Sequence, residues 1–270
     1  NYSYSNTLHH NIIINNTDQA YNYLSNNTWD IGYPSGGNYW NDYMGVDLYS
    51  GPYQNETGSD GFGDIPYVID GDNKDNYPLM GPWPWTIKNI ETSIYYLTIQ
   101  RAIEAPETLD GHTILVGAGI YYEHVIVNKS LTLIGEGPRT TIIDGNGTGS
   151  VVTVTADNVI MSGFMIQNSG DTSGEDSGIY LFGSKSSTVS GNNITSNAGL
   201  GVRLEGSQSN IISANNITNN AAGIALLGSG SNIISANNIA NNKYGAIGIG
   251  VEAGYAIEMS GNNTISGNII

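Results

Sequence analysis

The chain contains no cysteine, so no disulfide holds it together and thiolate chemistry, catalytic or metal-binding, is excluded. Basic residues are nearly as scarce. Lys and Arg number eight against 24 Asp and Glu, for a formal charge of −16. The eight are scattered, which removes nucleic acid and anionic membranes as partners. No apolar run approaches the ~20 residues of a membrane-spanning helix. Helical periodicity is confined to TIQRAIEA, Thr98–Ala105, where Ile99, Ala102 and Ile103 share a face and Pro106 ends the pattern.

What the chain has instead is glycine, asparagine and repetition. Gly178–Ala198 reads GIYLFGSKSSTVSGNNITSNA, Gly201–Ala221 reads GVRLEGSQSNIISANNITNNA, and Gly223–Lys243 reads GIALLGSGSNIISANNIANNK. The starts lie 23 and 22 residues apart, an internal repeat. In register, Ile179, Val202 and Ile224 coincide, as do Leu181, Leu204 and Leu226, then Val189, Ile212 and Ile234, then Ile194, Ile217 and Ile239. The apolar runs alternate with period two and are too short for helices. Each repeat therefore holds about three short strands between Gly, Ser and Asn turns. One such coil cannot cover its own inner face, so coils must stack. The result is a parallel β-helix, with Asn192, Asn215 and Asn237 and then Asn193, Asn216 and Asn238 laddered at a turn, where Asn tolerates left-handed backbone. Alternation turns Leu181, Leu204, Leu226, Val189, Ile212 and Ile234 inward. It turns Phe182, Glu205, Leu227, Thr188, Ile211 and Ile233 outward.

Residues 1–30 follow the same grammar, with Leu8 and Ile12–Ile14 as strand residues and paired Asn15 and Asn16. They read as closing coils of a β-helix. His9 and His10, adjacent in a strand, are expected on opposite faces and exposed rather than joined on a metal. From Gly32 to Met80 the pattern changes to Tyr, Gly and Pro, and residues 30–76 hold nine carboxylates and one Lys. Asp60, Asp64, Asp70, Asp72 and Asp75 sit among tight Gly turns, a supply of hard oxygens suited to Ca²⁺. The same residues also suit Asx turns without any ion.

The expected organisation is closing coils over 1–30, an acidic aromatic and Gly-rich module over 31–81 and a linker over 82–97. A parallel β-helix follows over 98–270, its first coil capped by the helix at 98–105. The fold class is all-β, apart from that short helix. Nine sequons, at Asn1, Asn15, Asn26, Asn55, Asn128, Asn146, Asn193, Asn216 and Asn262, together with the acidic, Lys-poor composition, predict an extracellular glycoprotein.

TIQRAIEAPETLDGHTILVGAGIYYEHVIVNKSLTLIGEG resembles the opening of the NosD-like (CASH-type) right-handed parallel β-helix domains, and the NNIT and NNIA coils resemble the NosD repeat. GYPSGGNYWNDYMGVDLYSGP with GSDGFGDIPYVIDGDNKDNYPL resembles the acidic module closing such domains in surface proteins, many of them archaeal. The resemblance implies a secreted or surface-displayed β-helix and no single activity. Soft copper sites want Cys, Met or grouped His, and only His9 and His10 are close in sequence. Polysaccharide cleavage needs grouped carboxylates, whereas the clear repeats carry only Lys185, Arg203, Glu205 and Lys243. Arg203 and Glu205 share a strand face as a surface ion pair. No catalytic residue and no organic cofactor are expected. The chain opens at Asn1 without Met or signal peptide and stops inside a repeat, so it reads as a mature product or an excised piece. The functional expectation is a structural subunit of an extracellular filament, sheath or surface layer, polymerising with itself head to tail. A carbohydrate-binding or adhesive module that stacks the aromatics of residues 33–53 on cell-surface glycans is the alternative.

Overall fold

The computed structural model describes residues 5–23, 25–58, 60–81, 86–171, 176–250 and 261–270. Two units are formed, one from residues 1–86 and 94–97, the other from residues 87–93 and 98–270.

The second unit is a parallel β-helix built from three sheets. The first sheet runs from Thr113–Val116 through Thr132–Gly135, Ile160–Ser162, Thr188–Ser190, Ile211–Ser213 and Ile233–Ser235 to Thr264–Ser266. The second begins at Gly119–Tyr121 and ends at Asn238–Ala240, and the third begins at Val125–Val127 and ends at Ile247–Gly250. Repeat-to-repeat register is what the alignment predicts: Ile179 pairs with Val202 and Val202 with Ile224, while Val189 pairs with Ile212 and Ile212 with Ile234. The predicted inward columns are buried, whereas Phe182, Ile211 and Ile233 are exposed and Leu227 is half-buried. Fully burying one such aliphatic side chain stabilises by ~1.5–3 kcal/mol, and each coil contributes several.

The glycine opening each repeat has a steric cause. A Cβ on Gly201 would meet the carbonyl of Gly223, and one on Gly178 the carbonyl of Gly201. Coils approach too closely there for a side chain.

The helix spans Ile99–Glu104. Thr98 Oγ1 accepts from the Arg101 N–H at 3.1 Å, and Ile99, Ala102 and Ile103 are buried. Glu123 accepts the N–H groups of Ile99 and Gln100, both at 3.0 Å, placing a carboxylate at the positive helix start. The helix packs on Val125–Val127, Ile87–Asn89 and Thr113–Val116 and so covers the first coil.

Two boundaries differ from the sequence expectation. Within the expected linker, Ile87–Asn89 forms a strand antiparallel to Thr113–Val116 and belongs to the β-helix. Leu97, by contrast, packs on Phe62 and Leu79 in the first unit. Residues 1–30 and 31–81 also form one unit, because Ile12–Ile13 pairs in parallel with Tyr39–Trp40. Residues 82–85 of the expected linker and residues 172–175 and 251–260 of the expected β-helix lie outside the described residues.

Candidate functional site: ladder ends and the acidic module

The ladders have a direction. The backbone N–H and side-chain amide of Asn192 both donate to Oδ1 of Asn215, at 3.0 and 3.2 Å. Asn215 donates in the same way to Asn237, both bonds at 3.0 Å. Asn237 donates to Asn268 at 2.9 and 3.0 Å. A second ladder runs from Ser187 to Asn210, Asn232 and Asn263, and a third from Asn197 to Asn220 and Asn242. Every link donates toward the later coil. The remaining amide hydrogen points back, as in Asn215 Nδ2 to the Val189 carbonyl at 2.9 Å.

The left-handed backbone sits one residue earlier than expected. Ala214 and Ala236, both at φ +55, precede Asn215 and Asn237, and Ser209 and Ser231 precede Asn210 and Asn232. The asparagine side chain thus points into the stack from an ordinary backbone position, and the residue before it carries the strain of ~1–2 kcal/mol that left-handed geometry imposes on a non-glycine. The outer asparagines form a separate chain of amides: Asn216 donates to Asn193 at 2.9 Å and Asn238 to Asn216 at 2.6 Å.

The first unit uses the same device. Asn6 donates through N–H and Nδ2 to Asn27 Oδ1 at 3.2 and 2.8 Å, and the Asn27 N–H donates to Asn73 Oδ1 at 2.8 Å. Asn11 donates to Asn38 Oδ1 at 3.1 and 2.8 Å. The next link is a carboxylate, since the Asn38 N–H donates to Asp75 Oδ2 at 2.6 Å. Asp75 is fully buried and also accepts from Trp40 Nε1 at 2.9 Å and from the Tyr77 N–H at 3.1 Å. A carboxylate accepts only, so it ends a donor-led ladder without leaving a new donor to satisfy. Gly37 makes room for it, because a Cβ there would collide with the Asp75 carboxylate.

The other candidate metal residues are likewise occupied by N–H groups. Asp60 accepts from Gly51 N–H and Gln54 Nε2 and from Phe62 N–H. Asp64 accepts from the N–H groups of Leu48 and Tyr49, and Asp70 from those of Asp72 and Asn73. Asp72 is exposed. Among the described residues no three His, Asp or Glu side chains converge on a common point. Asp60 and Asp70 accept from N–H groups two or three residues on, as Asx turns do, whereas Asp64 reaches Leu48 and Tyr49 across the module.

Burial pushes the Asp60 and Asp75 carboxyls up to about 6, against the lowering effect of their hydrogen bonds. A carboxyl raised on folding makes the folded state hold protons that the unfolded chain has released. Stability from these groups is greatest below the unfolded value of 3.8 and declines as pH rises through about 6. All four tryptophans lie at or before residue 85, so tryptophan fluorescence follows the first unit selectively. The expected result is a melting temperature that falls between pH 4.5 and 7; a rise would mean that the N–H donors outweigh burial.

His9 and His10 are not splayed to opposite faces. Their rings meet edge to face with centroids 4.7 Å apart, both are half-buried, and His10 Nε2 lies 2.8 Å from the Ser35 carbonyl. His10 has φ +59, which breaks the strand alternation on which the expectation rested. Of the sequons, Asn15, Asn26, Asn55, Asn128, Asn146 and Asn262 are exposed, and Asn193 and Asn216 are half-buried in the outer amide chain. Asn1 lies outside the described residues.

Arg203 is not a surface residue. It is 5% exposed, bonded to Glu205 at 2.8 Å and set 5.0 Å from the Tyr180 ring, whose hydroxyl donates to Glu205 at 2.6 Å. Glu205 is the one carboxylate on its strand and on the two flanking strands, short of the pair that glycoside hydrolysis requires. The aromatics of the acidic module mostly face inward. Trp40 is buried and stacks on Tyr67 at 4.1 Å, and Tyr33, Tyr39 and Tyr77 pack on Phe62 and Leu79.

Residues 107–270 match the family model described as periplasmic copper-binding protein (NosD). A cell surface glycoprotein of Methanothermus fervidus is 39% identical over 109 residues, a match covering 40% of this chain and 17% of that protein. An alginate lyase from Paenibacillus sp. FPU-7 is similar in fold at 18% identity and a TM-score of 0.49, over 63% of this chain and 72% of that one. A pectin methylesterase from Yersinia enterocolitica follows at 19% identity and 0.38, over 56% and 58%.

Among the described residues of the matched region, the side chains do not suit copper. His124 places its ring nitrogens 2.9 and 3.1 Å from Ser150 O and Thr148 Oγ1, His112 Nδ1 lies 3.0 Å from Asn89 Nδ2, and Met161 is buried in the core. Soft sites need grouped imidazole or sulfur ligands, which the described residues do not assemble. With a parallel β-helix, laddered NNIT coils and a family match over more than half its length, the chain belongs to the NosD family.

Proposed function

We propose that this chain is a non-catalytic structural element of a cell-surface filament, sheath or layer, extracellular and assembling head to tail through the ends of its β-helix. The observation that carries the reading is ladder polarity. Every link of the three inner ladders donates toward the later coil, so the coil at Asn263–Ile270 presents the N–H groups of Asn263 and Asn268, which have no acceptor among the described residues. Whatever continues the stack has to offer acceptors at those positions. A heterologous contact of this kind does not close on itself and propagates. The similarity to a cell surface glycoprotein and the exposed sequons support an extracellular setting.

A carbohydrate-binding module is the second reading, and the exposed Tyr49 and Tyr53 favour it. Negative-stain microscopy with light scattering separates the two. Filaments, or a mass that grows with concentration, support the structural role; a monomer at all concentrations that retains glycans on an array supports the other.

Ca²⁺ binding by Asp60, Asp64, Asp70, Asp72 and Asp75 is a separate proposal for the acidic module, resting on its density of carboxylates. Chelator should then lower the melting temperature of the first unit, with recovery on adding Ca²⁺. An unchanged temperature assigns the five aspartates to turn formation alone.

A further inference from the structure

We propose that the outer face of the first sheet is a lateral interface on which two copies of this chain pack antiparallel, the two-fold axis passing between Ile160–Ser162 and Thr188–Ser190. The contact lies along the side of the stack and is independent of the head-to-tail reading. Three features of that face carry it.

The first is neutrality. Strands Thr113–Val116, Thr132–Gly135, Ile160–Ser162, Thr188–Ser190, Ile211–Ser213 and Ile233–Ser235 stack in parallel and in register. Their outward side chains form two columns. One reads Thr113, Thr132, Ile160, Thr188, Ile211, Ile233, and the other Leu115, Ile134, Ser162, Ser190, Ser213, Ser235. None of these is charged, although the chain carries 24 carboxylates and a formal charge of −16. Ile134, Ile160, Ile211 and Ile233 are between 36% and 45% exposed, apolar surface aligned on one face rather than scattered singly. Copies this acidic repel over most of their surface and meet at least cost where neither bears charge.

The second is size. A two-fold axis running along the strands reverses the order of the coils and keeps each column facing its own counterpart. Thr113 then meets Ile233 of the second copy, Thr132 meets Ile211, and Ile160 meets Thr188. In the other column Leu115 meets Ser235 and Ile134 meets Ser213. Every large side chain faces a small one, so the two faces interdigitate at the ~10 Å spacing of packed sheets.

The third is the corner where the chain enters this sheet. Asp157 and Lys185 are exposed there, on the coils either side of the axis. Antiparallel packing sets Asp157 opposite Lys185 of the second copy and, by symmetry, Lys185 opposite its Asp157. Parallel packing would set the two against the opposite corner, at Gly163 and Gly191.

The six strands cover ~24 Å across and ~10 Å along each strand, a smaller patch than the ~800 Å² each partner buries in a standard interface. A weak monomer–dimer equilibrium is therefore expected in sedimentation of the full chain at high micromolar concentration. An isologous pair closes on itself, so growth stops at two copies where the head-to-tail contact fails; where both contacts form, filaments associate in pairs. Ile211→Asp should weaken this association by about tenfold or more. Thr132→Ile sets isoleucine against isoleucine and should weaken it about tenfold, and adding Ile211→Thr should restore most of the loss. Within one chain, positions 132 and 211 stand three strands apart, ~14 Å, so rescue reports a contact between copies. Melting temperatures confirm that these outward variants fold. Association unchanged by Ile211→Asp overturns this face as the interface. Loss on Thr132→Ile without rescue by Ile211→Thr overturns the antiparallel register. A chain monomeric at every concentration, or filaments that grow but remain single, overturns the lateral contact, and the second of these leaves head-to-tail assembly standing.

Discussion

Replacing Asp75 by alanine should destabilise the first unit by about 3–5 kcal/mol, measured by denaturant titration followed through tryptophan fluorescence. The substitution strands the Asn38 N–H, Trp40 Nε1 and Tyr77 N–H in a site with no solvent exposure. Each unsatisfied buried donor costs ~1–3 kcal/mol. Removing the buried charge returns part of that, since burial outweighs the hydrogen bonds and pushes this carboxyl up to about 6. Asp75→Asn should cost less, roughly 1–3 kcal/mol, because the amide oxygen can keep the Oδ2 contacts while its NH₂ faces only the Tyr77 N–H. If alanine and asparagine are equally damaging, the loss of charge rather than of acceptors decides, and a cation-binding role for Asp75 becomes the better account.

The second large effect is expected in the middle of the β-helix, from two adjacent residues of the same type. Asn215→Leu should cost about 3–4 kcal/mol, by far-ultraviolet circular dichroism in guanidinium. It strands the buried Asn192 N–H and takes one partner each from Asn192 Nδ2, the Val189 carbonyl and Asn237 Oδ1, the last of which keeps the backbone N–H of residue 215. Asn216→Ala should cost under ~1 kcal/mol, although its side chain also bonds to both neighbouring coils. Asn216 is half-buried and outward, so water replaces the lost partners. Equal effects at the two positions would mean that laddering stabilises irrespective of burial.

The β-helix was legible because its coils are local and repeat. Period-two alternation assigned Leu204 and Ile212 to the core and Ile211 to solvent, and stacking neighbours is the sole way such coils bury an inner face. The capping helix was legible for a similar reason: Thr98, three apolar residues on one face and Pro106 fall within nine positions. The site was less so. Repetition marked the asparagines, but not that the left-handed residue precedes them, because Ala214 and Ala236 are poor sequence signals for positive φ. Nor did alternation anticipate the contact between His9 and His10, since one positive φ at His10 cancels it.

The sequence by itself therefore determined the stack: coil length, inner columns, the direction of the chain through it and the composition of its corners. Tertiary structure alone decided how the stack ends. Asn38 and Asp75 are 37 residues apart across irregular chain with no shared period, and Ile87–Asn89 joins the β-helix by an antiparallel pairing that no repeat announces. Asp75 reads as a ligand or a turn former in one dimension. It becomes a ladder terminus only where folding sets it against three donors, in a place that water does not reach. Local periodicity encodes what recurs along the chain, whereas an end occurs once and is specified by which distant groups satisfy its unpaired hydrogen bonds.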